Sequence, residues 1–247
     1  MIPLKSEKDL VMLRESGRIL AKVLRQLCEY VRPGISTAQI DNLAEQLISE
    51  TKGKAAFKGY KGFPASVCTS VNEEIVHGIP GPRVLLEGDI LSLDLGINYQ
   101  GYFSDAAVTV PVGRVDFRSS KLIEVTRKSL SEGIRRAKAD NHLSDISHAI
   151  QGYVEARGFS VVRQFVGHGI GVSLHEEPEI PNFGAPHKGV VLKNGMVLAI
   201  EPMVNAGGWE SKISDNSWTA LTKDGLRSAH FEHTVAIIPG GPEILTA

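Results

Sequence analysis

The sequence predicts a mixed α/β fold in which a helix–helix–strand unit occurs twice, the two copies facing each other across a central cleft. Two observations point there. Apolar residues at helical spacing fill two successive segments, β-branched runs follow, and the same order recurs in the second half of the chain. Local strings also repeat at a fixed offset. Leu86–Asp94 is similar to Leu192–Glu201, each with a glycine ahead of the apolar run and an acid six residues after that glycine, and Gly88 and Gly195 stand 107 positions apart. Pro33-Gly34 and Asp140-Asn141, each just before a second helix, share that offset. We expect one structural domain over residues 1–247, with halves of about 1–113 and 114–247; a chain of this length can bury a large core.

Taken in order, Ser6-Glu7-Lys8-Asp9 reads as a capping box, followed by Leu10, Leu13, Leu20, Leu24, Leu27 and Val31 near helical spacing. Arg32-Pro33-Gly34 stops that helix. Ser36-Thr37-Ala38-Gln39 opens a second, with Ile40, Leu43, Ala44, Leu47 and Ile48 on one stripe and an end near Gly53. Strands are expected at 65–71, 89–97 and 102–112, with Gly78-Ile79-Pro80-Gly81-Pro82 as a rigid loop. In the second half a helix is expected over 119–138, and another capped by Ser144-Asp145 and closed by Gly158. Strands follow at 161–166, 196–200 and 231–238.

Composition excludes several classes of function. A formal net charge of −1 gives no bulk electrostatic support for nucleic-acid or membrane-surface binding. Two cysteines, Cys28 and Cys68, do not make a disulfide framework and fit a reducing compartment. Neither a signal peptide nor a membrane-length apolar stretch is present, so a cytoplasmic, soluble protein is expected.

The chemistry centres on LSLDLGINYQGYFSDAAVTV, Leu91–Val110, which reads as a β-hairpin. If Tyr99 and Gln100 form the two-residue loop, Asn98 pairs with Gly101 and Asp94 falls opposite Asp105. Two facing carboxylates in apolar surroundings need a shared proton or a cation. A bulge turning one of them to solvent would also satisfy an isolated hairpin. Glu201, the counterpart of Asp94 in the repeat, and Glu232, in Phe231-Glu-His-Thr-Val, are further acids embedded in apolar runs. Acids so placed are rarely buried unless paired or metal-bound.

His168 sits in Val166-Gly-His-Gly-Ile-Gly171. Alone the tripeptide is a turn with a polar side chain; beside four acids the imidazole becomes a candidate ligand. Four carboxylates and one imidazole carry a charge of −4, which two divalent cations would neutralise. The oxygen-rich set suits Mn²⁺, Fe²⁺, Co²⁺ or Zn²⁺, and two such metals about 3.5–4 Å apart support hydrolysis. His77, in Ile75-Val-His-Gly-Ile-Pro80, and His175, in Ser173-Leu-His-Glu-Glu-Pro178, are exposed polar residues or substrate contacts.

The spaced set Asp94, Asp105, His168, Glu201, Glu232 resembles the metal-binding set of the type I methionine aminopeptidases, of the M24 metallopeptidase family. The strings SVCTSVNEEIVHGIP, GHGIG, LHEEP, IEPMVNAG and FEHTVAI resemble that family's blocks, and the likeness runs over essentially the whole chain. It implies the pita-bread fold: pseudo-twofold halves around an antiparallel-rich sheet, helices on its outer face. It implies that Asp94 chelates one metal, that Asp105 and Glu232 bridge both, and that His168 and Glu201 hold the other. Glu201 would carry the proton between the attacking water and the leaving amine. His175 would stabilise the tetrahedral intermediate and His77 would contact the residue after the scissile bond. The methionine pocket would be Tyr60, Phe63, Cys68, Leu174 and Trp218. Phe63 stands where a Tyr is usual and Leu174 where a Phe is usual, so altered pocket shape is expected with methionine selectivity kept.

Further implications of the resemblance are a monovalent cation, Na⁺ or K⁺, held by carbonyls of Asn72, Glu74 and Ser228, and a transient ribosome contact. The substrate would be a nascent chain or peptide starting with Met and a small second residue. The short start before the first helix leads us to expect the short bacterial form, without a zinc-finger or ribosome-docking module; no long exposed apolar stripe argues for assembly, so a monomer is expected. The proline-specific relatives usually carry an additional N-terminal domain, for which Met1–Ser36 is too short. A peptide binder that had lost its chemistry would have lost ligands. A metal-free Asp94–Asp105 acid–base pair would leave Glu201, Glu232 and His168 without a role.

Overall fold

The computed structural model describes residues 2–247. Two helices open the chain, α1 (Glu7–Tyr30) and α2 (Thr37–Ser49). Both begin at the expected capping boxes. Ser6 N donates to Asp9 (2.8 Å) while Asp9 N donates to Ser6 Oγ (3.3 Å), and Ser36 and Gln39 do the same over the same two distances. The second pair of helices is α3 (Phe117–Arg136), capped by Asp116, and α4 (Leu143–Glu155). The cap of α4 lies earlier than Ser144-Asp145: His142 is the N-cap, and Asp145 accepts from its backbone N–H at 2.8 Å.

The strands are β1 (Lys54–Ala55), β2 (Cys68–Val71), β3 (Glu74–Val76), β4 (Ile90–Tyr99), β5 (Tyr102–Pro111), β6 (Ser160–Val161), β7 (Gly167–Gly169) and β8 (Glu176–Ile180). They continue with β9 (Val197–Ile200), β10 (Met203–Asn205), β11 (Ser211–Ile213), β12 (Ala220–Thr222), β13 (Ser228–His230), β14 (His233–Ile238) and β15 (Gly241–Ile244). The pairings are antiparallel throughout. One main sheet joins β1, β4 and β2, with β5 on β4; the other runs β15-β14-β9-β7-β8. The run expected at 161–166 keeps strand pairing only at Ser160–Val161, and that expected at 231–238 is broken at Phe231-Glu232 between β13 and β14.

The β4–β5 hairpin forms with a different register from the expected one. Tyr99 pairs with Tyr102, so Gln100-Gly101 is the loop; Asp94 lies opposite Ala107, and Asp105 opposite Gly96. The turn explains the shift. Gln100 and Gly101 both have positive φ (52° and 89°), as a type I′ turn requires, and glycine takes one of these places without strain. A Tyr99-Gln100 loop would force a bulky aromatic residue into that region. Because the shift is two in the pairing sum, the two aspartates stay on one face as diagonal neighbours.

Strand alternation then separates core from site. In β4, Leu91, Leu93, Leu95 and Ile97 pack on α1 and α2 with Leu20, Ile40 and Ala44, so Asp94 faces the other way. In β9, Leu198 and Ile200 join the α3–α4 core with Leu122 and Ile150. Val197 and Ala199 face Phe63 and Cys68 instead, and Glu201 follows in their phase. In β14, Val235 and Ile237 pack towards the helices and Ala236 away from them, which puts Glu232 in phase with Ala236. Each fully buried Leu or Ile contributes about 1.5–3 kcal/mol, so these strands have little freedom to slip.

The repeat seen in the sequence is echoed in the hydrogen bonds with a slip of one residue. Leu85 N donates to Ile35 O and Leu192 N to Asn141 O, each at 2.8 Å, the donors 107 positions apart and the acceptors 106, and Gly88 and Gly195 share φ near +90° (93° and 91°). The two main sheets are stitched together where β5 meets β14. Glu232 N donates to Ala107 O (2.9 Å), Ala107 N to Glu232 O (3.4 Å), and Thr234 Oγ1 accepts from Asp105 N while donating to Asp105 O.

Candidate active site

A pocket of about 270 Å³ opens on the helix-free face. Its floor is Asp94, Asp105, His168, Glu201 and Glu232, and His77 and His175 stand on its wall. Tyr60, Phe63, Cys68, Leu174 and Trp218 form its apolar side. Every side chain that the sequence singled out for the site is therefore in one place. Phe57 and Lys61 also line it and were not anticipated. Gly96 carries the signal for Phe57: a Cβ there would lie 2.8 Å from the Phe57 ring, and glycine inside a strand marks such an approach.

Asp105, His168 and Glu232 are all buried and offer ligand atoms within 4.8 Å of one another. His168 Nε2 lies 3.5 Å from Glu201 Oε1, and the Asp94 and Asp105 carboxyl groups are in hydrogen-bonding reach. Asp94 Oδ1, Asp105 Oδ1 and Glu232 Oε1 are buried without a hydrogen-bond partner. Burial, then the neighbouring acids, pushes Asp105, Glu201 and Glu232 well above the ordinary carboxylate range; burial also raises Asp94. Such a set is stable only with protons or cations, and its hard oxygen donors with one imidazole fit divalent transition metals. His168 is prepared for that part. Its Nδ1 lies 2.9 Å from Gly169 O, so an Nδ1–H donor leaves the Nε2 lone pair facing the acids. Burial holds this imidazole neutral, its pKa lowered to about 4.

His175 is fixed from the side. Its Nδ1 is 3.0 Å from the Tyr60 hydroxyl, and its ring centroid is 4.2 Å from that of His168. Its loop is tied down by Glu176, which accepts from Val172 N (2.8 Å) and Ser173 N (3.1 Å) and forms a buried ion pair with Lys5. His77 has a φ of 60°, packs edge-on against Phe165 at 5.6 Å, and is lowered to about 4 by burial and then by His175. Phe63 and Trp218 meet edge to face at 5.2 Å. His230, which the sequence reading passed over, is fully buried beside Glu201, with Nε2 3.7 Å from Glu201 Oε2.

Crowded carboxylates around an imidazole, open to an apolar pocket, are the donor set of a metal-dependent hydrolase. Comparison with known proteins agrees. The family model "Metallopeptidase family M24" matches residues 11–239. A methionine aminopeptidase of Clostridium perfringens is 53% identical over 246 residues, covering 100% of this chain and 99% of its own. Methionine aminopeptidase 1 of Bacillus subtilis has the same identity and coverage. The crystal structure of methionine aminopeptidase from Thermotoga maritima superposes with a TM-score of 0.98 at 46% identity, covering 100% of this chain and 99% of that one. The chain belongs to metallopeptidase family M24, and its fold is the pita-bread fold that the sequence led us to expect. Among the described residues no helix is long and apolar enough to cross a membrane.

Proposed function

We propose that residues 1–247 form one catalytic unit, a metal-dependent aminopeptidase that removes methionine from the N-terminus of peptides and nascent chains whose second residue is small. One observation carries the reading: a small pocket walled by Tyr60, Phe63, Leu174 and Trp218, with the Cys68 sulfur beside them, opens directly onto the carboxylate–imidazole floor. An unbranched thioether gains sulfur–aromatic contacts there. The relatives named methionine aminopeptidase support it.

Asp94 would hold one divalent cation, His168 and Glu201 the other, and Asp105 and Glu232 both. Two such ions, of Co, Mn, Fe or Zn, supply Lewis acidity to the scissile carbonyl and make water acidic enough to attack near neutral pH. Glu201 takes a proton from the attacking water and passes it to the leaving amine. His175 Nδ1 lies 3.0 Å from the Tyr60 hydroxyl; with that hydroxyl as donor, the imidazole proton is on Nε2, free to stabilise the developing oxyanion. His77 contacts the backbone after the scissile bond. Phe57 and Phe63 keep water from the methionine side chain. A monovalent ion, Na⁺ or K⁺, would sit near Asn72, Glu74 and Ser228; Ser228 N donates to Asn72 O at 2.8 Å, so two of these carbonyl-bearing segments already touch. The enzyme acts as a monomer in the cytoplasm, on peptides and, in passing, at the ribosome.

The test is release of Met from Met-Ala-Ser and Met-Pro-Ser peptides after chelation, with Mn²⁺, Co²⁺, Fe²⁺ or Zn²⁺ added back in turn. Metal-restored Met release, without cleavage of Xaa-Pro peptides that lack Met, is expected. Cleavage of Xaa-Pro bonds whatever the first residue, or no cleavage by protein that binds two metals, overturns the reading.

A further inference from the structure

His230 is 1% exposed, yet neither of its ring nitrogens has a hydrogen-bond partner. A neutral imidazole carries one N–H donor and one acceptor, and a buried polar side chain without partners requires an explanation. Its backbone is not free to move away. His230 N donates to Thr109 Oγ1 and the same hydroxyl donates to His230 O, both at 2.8 Å, while the residue pairs with Met203 across β10 and β13. The ring is thus held where it is, with Nε2 3.7 Å from Glu201 Oε2.

Glu201 is confined in the same way. Its carbonyl accepts from Asn182 Nδ2 at 2.9 Å, and its other carboxyl oxygen, Oε1, lies 3.5 Å from His168 Nε2. The carboxyl group therefore stands between two imidazoles. His168 has already committed Nδ1 to the Gly169 carbonyl, so its Nε2 faces the acids as a lone pair and offers no proton. His230 has made no such commitment and can offer one.

The geometry points to His230 as a positioning residue: its Nε2–H donates to Glu201 Oε2 and holds that carboxyl in the single orientation that turns Oε1 towards the floor of the pocket. Closing the contact needs a shift of roughly half an ångström to one ångström, supplied by side-chain torsions because both backbones are pinned. A neutral donor directs the carboxyl without adding charge to a floor that must accept cations, and a fixed second partner of this kind commonly sharpens metal affinity. The inference rests on the role proposed above for Glu201.

The experiment compares wild type with His230→Leu and His230→Gln, each confirmed as folded by thermal unfolding. It measures Mn²⁺ affinity by chelator competition, and kcat and KM for Met-Ala-Ser. His230→Leu is expected to weaken the Mn²⁺ affinity by about 10- to 100-fold, and to lower kcat with little change in KM. His230→Gln, which restores an N–H donor, is expected to recover most of both. Mn²⁺ affinity in His230→Leu within twofold of wild type overturns the proposal, as does a His230→Gln variant no better than His230→Leu. Should His230→Leu not fold, long-range ¹⁵N–¹H spectra of Zn²⁺-loaded wild type decide: a proton on His230 Nε2 supports the contact, and a proton on Nδ1 overturns it. If wild type binds Mn²⁺ but releases no Met, the aminopeptidase reading fails, while the affinity and tautomer results still judge His230.

Discussion

The Tyr60 hydroxyl lies 3.0 Å from His175 Nδ1 while the two rings stack with centroids 5.3 Å apart at 22°. One residue thus meets the imidazole both at Nδ1 and across its ring face. His175→Ala is expected to keep the metal content and lower kcat by about 100- to 1,000-fold, the usual loss on removing an oxyanion donor. Tyr60→Phe, which keeps the stacking and removes the hydroxyl, should cost about tenfold. Elemental analysis and steady-state kinetics check both, and near-normal kcat in His175→Ala refutes the role.

Asp105→Asn removes one charge from a buried cluster of acids while conserving shape. Metal-free Asp105→Asn should melt higher than metal-free wild type at pH 8, by roughly 2–4 °C if about 1 kcal/mol of repulsion is relieved. The same change should abolish Met release and displace the stoichiometry from two ions. Calorimetry with and without Mn²⁺ separates the two effects; a lower melting point in the metal-free variant would argue against the repulsion.

Metal-free protein should lose stability as pH rises above about 6.5 and through the raised carboxyl values, that of Asp94 being about 7. Asp105, Glu201 and Glu232 have raised pKa values when folded, so the folded state keeps protons that the unfolded chain has released. Their contribution is complete below the ordinary carboxylate range and is lost as pH climbs through the folded values. His77 and His168, lowered to about 4, act oppositely, but only up to the unfolded imidazole value of about 6.5. Melting points of chelated protein across that window should fall, whereas Mn²⁺-loaded protein should change little. A flat metal-free profile would contradict the raised values.

Lys5 and Glu176 pair with side chains only 5% and 8% exposed, and Glu176 also caps the loop that carries His175. Lys5→Met leaves a buried carboxylate unpaired, a loss of about 3–5 kcal/mol. Denaturant unfolding should register that loss, and proteolysis should cut first between Gly171 and Glu176. A stability within 1 kcal/mol of wild type would show the pair to be dispensable.

Asp94, Asp105, Glu201 and Glu232 were legible in the sequence because an acid inside an apolar run is costly unless something answers it. The long helices and capping boxes at Ser6 and Ser36 were legible because their signals are local. The hairpin register was not, since it depends on which of two adjacent pairs takes positive φ, and Gly101 decided that against Tyr99. Strands of two or three residues such as β7 and β13 carry no readable period; neighbouring strands make them. His230 was missed for that reason: in Ser-Ala-His-Phe it reads as an ordinary strand residue, and only its burial beside Glu201 distinguishes it. Phe57 was signalled indirectly, by Gly96 across the fold.

The stitch between β5 and β14 ties Asp105 to Thr234 and Ala107 to Glu232. Each half therefore contributes acids that the other cannot replace, and the proposed metal set spans positions 94 to 232. A ribosome building this chain makes Asp94 long before Glu232. With the proposed ligand set, catalytic competence arrives late in synthesis and all at once, and cation capture would double as a report that both halves have docked.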